Sequence, residues 1–139
     1  MIEYHLQDVD FDFELRSKVL DICERILQDH GFKSDTINII ITSDEFLLSL
    51  NEKFLNHTDY TDVLTFDYTE DGTAKLSDIY ISLDRVRENA GAFNEAIERE
   101  LARVMIHGLL HLVGYRDHES HDKNLMRKKE EDYLALIGL

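Results

Sequence analysis

His107-Gly-Leu-Leu-His111-Leu-Val-Gly114-Tyr-Arg-Asp117-His118 gathers three imidazoles and a carboxylate within twelve residues of an otherwise apolar run. Two histidines four positions apart on an α-helix stand one turn above each other, about 40° apart around the axis. Their ring nitrogens can then reach one cation from a single rigid face. Gly114 is the residue type that ends a helix in a left-handed cap, so the chain is expected to turn back there and bring His118 to the pair. Three nitrogen donors with an open fourth position describe a catalytic rather than a structural zinc. Such an ion lowers the pKa of its bound water to about 7, so the expected chemistry is hydrolysis. The other reading, two core histidines with hydrogen-bonded rings, sits poorly among Val104, Met105, Ile106, Leu109 and Leu110, because an unpartnered imidazole is costly there. Zinc proteases of the His-Glu-x-x-His pattern use the glutamate as general base. Gly108 occupies that place, which argues against peptide hydrolysis and allows another backbone to come close.

The elements that must position these residues follow from hydrophobic period. Ile2, Tyr4 and Leu6 alternate with Glu3 and His5, predicting a half-buried strand. Leu15, Val19, Ile22, Cys23, Ile26 and Leu27 fall at helical spacing up to Gly31. Ile37–Thr42 is β-branched and strand-like, and Ser43 or Asp44 can cap a helix carrying Phe46, Leu47, Leu50 and Phe54. Val63–Tyr68 and Lys75–Ser82 predict two strands joined by a hairpin-type turn at Glu70-Asp71-Gly72. A helix through Leu83, Val86 and Ala90 follows, then a long one through Ile97, Leu101, Val104, His107 and His111, with Asn94 as its expected cap. Leu125, Met126, Tyr133, Leu134 and Ile137 mark a last helix. The order βαβαββααα predicts a single α+β domain over residues 1–139, a small four-stranded mixed sheet covered by about five helices. The metal site would lie at the end of a central helix.

Composition narrows the setting. A chain of 139 residues with 43% hydrophobic and 32% charged residues suits one soluble domain with a sizeable core. Val104–Val113 is too short and too rich in histidine to span a bilayer. Met1–Asp8 lacks a basic start and an apolar run, and the lone Cys23 cannot form an internal disulfide. The expected location is the cytoplasm, with no membrane partner. A formal net charge of −14 opposes general nucleic-acid binding, so any RNA contact must come from locally clustered cations.

Beyond spacing, the His107–His118 stretch resembles the signature of the YbeY family of bacterial metal-dependent endoribonucleases. Leu50-Asn51 with Phe54, Thr61-Asp-Val-Leu-Thr-Phe66, Ser77-Asp-Ile-Tyr-Ile-Ser82 and Glu100-Leu-Ala102 are similar to further family segments, in the same order. The resemblance implies an α+β fold and one Zn2+ ion held by His107, His111 and His118. It also implies phosphodiester hydrolysis in single-stranded RNA, with roles in 3′ end maturation of 16S rRNA and in ribosome quality control. The small ribosomal subunit is then the expected partner, and DNA is not. The alternatives are a non-catalytic, metal-stabilised ribosome-assembly factor and a metallohydrolase with a non-RNA substrate.

The chain departs from the family pattern in three places. The family spaces its ligands as H-x-x-x-H-x-x-x-x-x-H, whereas Arg116 adds one residue before Asp117-His118. Either the loop bulges and His118 binds, or Asp117 takes the expected position and supplies an oxygen; the retained Asp-His order selects His118. Leu55 stands where the family carries an arginine thought to act on the RNA phosphate, and Arg103 where relatives often have another histidine. Arg103 or Arg116, both near the metal, is expected to replace the missing guanidinium, the two neutralising developing charge, with solvated surface charge as the other reading. Asp117 would orient a histidine or shuttle a proton. His57 and Tyr60 would stack on a base or sit in a plain turn. His121 is a spare ligand, while His5 and His30 have no assigned role.

Overall fold

Thr36-Ile-Asn-Ile-Ile-Ile-Thr42 forms strand β2, its β-branched side chains suiting a pleated, half-buried surface. The computed structural model describes residues 1–33, 36–55, 63–68 and 76–139, Leu55 by its backbone alone. β2 lies between β1 (Ile2–Gln7) and β4 (Leu76–Ser82), parallel to both, and β3 (Val63–Asp67) runs antiparallel along the outer side of β4. Ile39 pairs with Ile79 and Ile41 with Ile81. With Ile37, these residues form one fully buried face.

Helices α1 (Arg16–Asp29) and α4 (Ile97–Leu112) cover that face and pack on each other. Parallel neighbours require a crossover connection, which α1 provides between β1 and β2. Helix α2 (Asp44–Leu55) approaches β4 from the other side, with Phe46 6.1 Å from Tyr80 between ring centres. Helices α3 (Leu83–Ala92) and α5 (Ser120–Ala135) flank α4. The expected element order, the mixed sheet and the five helices are all present. No helix among the described residues is long and apolar enough to cross a membrane.

α4 is the element on which the site depends. Leu101, Met105, Ile106, Leu109 and Leu110 are fully buried, each side chain contributing about 1.5–3 kcal/mol on leaving water. Gly108 lies against the sheet, where a Cβ would meet Ile79 Cγ2 at 2.9 Å. The glycine therefore lets helix and strand approach, as expected. What remains of the helix is a polar stripe, Glu100, Arg103, His107 and His111, pointing towards α5 and the chain beyond Leu112.

The expectations for Asn94, Phe54 and Leu125 need correction. Asn94 does not cap α4; Ala96 holds that position without a side-chain bond. Asn94 instead has φ of 54° and closes α3, where Glu95 N–H donates to Ala90 O at 2.9 Å. Asparagine tolerates this left-handed conformation better than most residues. Phe54 and Leu125 carry the helical apolar period but are 58% and 43% exposed, so they lie outside the core stripe. The turn at 70–72 lies outside the described residues. Ser43 does cap α2, its hydroxyl accepting from Phe46 N–H at 3.2 Å.

Candidate metal centre

The polar stripe of α4 ends in a sharp reversal. Gly114 has φ of 114°, and Tyr115 N–H donates back to Leu110 O at 3.0 Å, closing the helix as the glycine implied. The reversal brings the Tyr115 carbonyl under the His111 ring, where it lies 3.1 Å from Nδ1. The tyrosine hydroxyl is itself 3.0 Å from His30 Nε2, and His30 Nδ1 is 2.8 Å from Ile26 O. His30, without a role in the sequence, thus ties the turn to α1. Two residues on, Asp117 Oδ2 stands 3.5 Å from His107 Nε2 and 3.5 Å from His111 Nε2.

A carbonyl and a carboxylate can only accept hydrogen bonds. His111 Nδ1 therefore donates to Tyr115 O, and His107 Nδ1 donates to Glu130 Oε2 at 2.7 Å. With both Nδ1 atoms protonated, the Nε2 lone pairs of the neutral rings are free to bind a cation. Those atoms face the Asp117 oxygen, and all three donors lie within 4.8 Å of one another. Two donors each about 2.1 Å from one tetrahedral ion are about 3.4 Å apart. The 3.5 Å separations match that edge, so the residues fit a single ion such as zinc.

Behind the imidazoles is a cluster of paired charges. Arg103 Nε and Nη2 donate to the two oxygens of Glu100 at 2.8 and 2.7 Å, and Nη1 donates to Glu130 Oε1 at 2.9 Å. Glu100 and Glu130 are nearly buried, at 2% and 3% exposure. The hydrogen bonds of Glu100 hold the Arg103 guanidinium above its ordinary pKa against the opposing effect of burial. Burial alone would raise the Glu130 carboxyl. The His107 hydrogen bond, together with the charge and hydrogen bond of Arg103, outweighs it and holds the group below the usual glutamate value. On the other side of the imidazoles a groove of about 360 Å3 runs along edge strand β3, lined by Val63, Thr65, Asp67 and His111.

The expected site residues divide accordingly. His107, His111 and Asp117 converge, whereas His118 is exposed and stands outside that group. Asp117 thus holds the position that the family spacing reserves for a ligand, the alternative left open by the extra Arg116. Arg116 is exposed beside Asp117, and Arg103 is occupied by carboxylates rather than facing the groove. His121 belongs to a separate group with exposed Glu119 and half-buried Asp122, and His5 pairs with Asn38 at 3.1 Å. His57, Tyr60 and the side chain of Leu55 lie outside the described residues. Glu130, Glu100 and Tyr115 were not anticipated. Glu130 had a signal, for it interrupts the buried stripe Met126, Tyr133 and Leu134 of α5.

An α+β domain whose central helix presents two imidazoles beside a carboxylate has a cluster that could hold a metal ion. A family model described as endoribonuclease YbeY matches residues 1–138, and the chain belongs to that family. Similar proteins include the endoribonuclease YbeY of Flavobacterium psychrophilum, 40% identical over 137 residues, or 99% of this chain and 96% of the relative. The Cytophaga hutchinsonii protein of that name is 38% identical over 135 residues, or 97% and 94%. The solution structure of a Thermotoga maritima protein matches with a TM-score of 0.67 at 31% identity, covering 96% of this chain and 87% of that one.

Proposed function

We propose that the protein is a zinc-dependent endoribonuclease that cleaves single-stranded RNA, acting on the 3′ end of 16S rRNA during small-subunit maturation and quality control in the cytoplasm. The observation that carries this reading is the approach of Asp117 Oδ2 to both Nε2 atoms at 3.5 Å, on a chain of the endoribonuclease YbeY family. His107, His111 and Asp117 would hold the ion, a donor set of two histidines and one carboxylate that zinc accepts in catalytic sites. Bound there, zinc supplies an activated water and polarises a phosphoryl oxygen.

The chain's own residues do the rest. Glu130 and the Tyr115 carbonyl keep both imidazole Nδ1 protons in place, so Nε2 faces outward at each ring. The β3 groove beside His111 has room for a strand approaching the centre. Arg116, exposed next to Asp117, is the guanidinium we assign to a substrate phosphate. It offers a polyanion a local positive contact on a chain whose formal net charge is −14.

Cleavage of an end-labelled single-stranded RNA is measured as zinc is titrated into chelator-treated protein. Activity that follows zinc and disappears in His111→Ala supports the proposal. Zinc that raises thermal stability without any turnover would instead identify a metal-stabilised assembly factor.

A further inference from the structure

We infer that Glu130, clamped by Arg103, is the positioning residue that prepares His107 for the metal, and that Glu100 anchors the clamp. The inference rests on the metal-dependent reading above. Each oxygen of Glu130 has its own donor. Oε2 accepts from His107 Nδ1 at 2.7 Å, and Oε1 accepts from Arg103 Nη1 at 2.9 Å. The carboxylate cannot rotate without breaking one of these bonds. Arg103 is fixed in turn, because its Nε and Nη2 fork onto both oxygens of Glu100. A planar guanidinium suits this paired geometry, and an ammonium does not.

The charges also add up to something useful. Two nearly buried carboxylates share one guanidinium, so the cluster carries a net negative charge immediately behind His107. A carboxylate accepting from the far nitrogen of a ligating imidazole fixes its tautomer and makes the near nitrogen a stronger donor. Residual negative charge there complements a divalent ion on the other side of the ring. Arg103 therefore has its bonded donors turned to protein carboxylates rather than to a substrate.

Glu130→Gln is the diagnostic change, being close in shape and wrong in chemistry. The amide has one acceptor and one donor end. If its NH2 faces Arg103, donor meets donor. If its NH2 faces His107, Nδ1 must accept and the imidazole proton moves to Nε2, the metal-binding atom. Two readouts follow. Competition of Zn2+ with a chromogenic chelator should show about 10–100-fold weaker binding in Glu130→Gln. Long-range 1H–15N spectra of metal-free protein, at alkaline pH where imidazoles are neutral, should place the His107 proton on Nδ1 in wild type and shift it towards Nε2 in the variant.

Glu130→Gln leaves Arg103 facing an imperfect partner and threatens folding, so the triple variant Glu100→Leu/Arg103→Met/Glu130→Met is measured beside it. Replacing every member of a buried ion triad with apolar residues is often neutral for stability, yet this variant should lose zinc affinity as well. Wild-type zinc binding that is tight and unchanged in both variants overturns the clamp while leaving the metal reading intact, as does a wild-type His107 protonated at Nε2. A wild-type protein that binds no zinc overturns both.

Discussion

Replacing Gly108 with alanine should destabilise the protein, even though alanine is the better helix former. The added Cβ would stand 2.9 Å from Ile79 Cγ2 and 3.8 Å from Val63 Cγ2. Cγ2 is bonded next to the backbone of a fully buried strand residue, so it cannot swing aside as a side-chain tip could. Overpacking of this kind costs about 1–3 kcal/mol, and so short a contact belongs in the upper part of that range. The helix-propensity gain returns about 1 kcal/mol, leaving a net loss of about 1–2 kcal/mol. For a domain of this size that lowers Tm by about 3–7 °C. Gly91, near the end of α3, supplies the control: a Cβ there meets nothing within 4 Å. Gly91→Ala should gain about 0.5–1 kcal/mol and raise Tm by a few degrees. Thermal unfolding of both variants in the presence of chelator tests the sign of each. Because Gly108 lies between His107 and His111, lifting α4 from the sheet should also weaken zinc binding in Gly108→Ala but not in Gly91→Ala. A Gly108→Ala protein as stable as wild type would refute the close approach of α4 and β4.

Other substitutions test the turn and the packing of α5. Gly114→Ala forces an L-residue into φ of 114°, with open space around its Cβ, so backbone strain is the sole cost. It should destabilise by about 1–2 kcal/mol and weaken zinc binding, because the Tyr115 carbonyl that orients His111 shifts with it. Tyr133 donates its hydroxyl proton to Asp29 Oδ2 at 2.7 Å, and burial first, then that bond, raises the phenol pKa above 10. The protonated form is the one that the fold favours. The contribution is therefore complete below the unfolded value of about 10 and is lost as pH rises through the folded one. Tyr133→Phe should cost about 1 kcal/mol near neutrality, with the gap closing in strongly alkaline urea titrations. A gap that persists or widens there would contradict the assignment.

Much of the framework could be read directly from residue order. Ile37, Ile39 and Ile41 alternate and face the core, and the apolar surface of α4 lies where its period places it. The turn after Leu112 also follows from Gly114, since a positive φ is what glycine alone adopts freely. Other features depend on tertiary contacts that local pattern does not encode. Asn94 can cap a helix or enter the left-handed region, and the Ala90–Glu95 bond selects the second. Glu130 falls on the buried stripe of Met126, Tyr133 and Leu134, but the charged run Arg127–Asp132 around it does not name His107 and Arg103 as its partners. Whether Asp117 or His118 faces the imidazole pair depends on how the loop absorbs Arg116. The bend after Tyr115 directs the aspartate inward and leaves the histidine exposed.

Zinc affinity and stoichiometry in chelator-treated wild type, Asp117→Ala and His118→Ala bear most directly on the centre described here. One ion per chain is expected in wild type and His118→Ala, with binding strongly weakened in Asp117→Ala. Tight binding that survives loss of the aspartate but not of His118 would contradict the proposed ligand set.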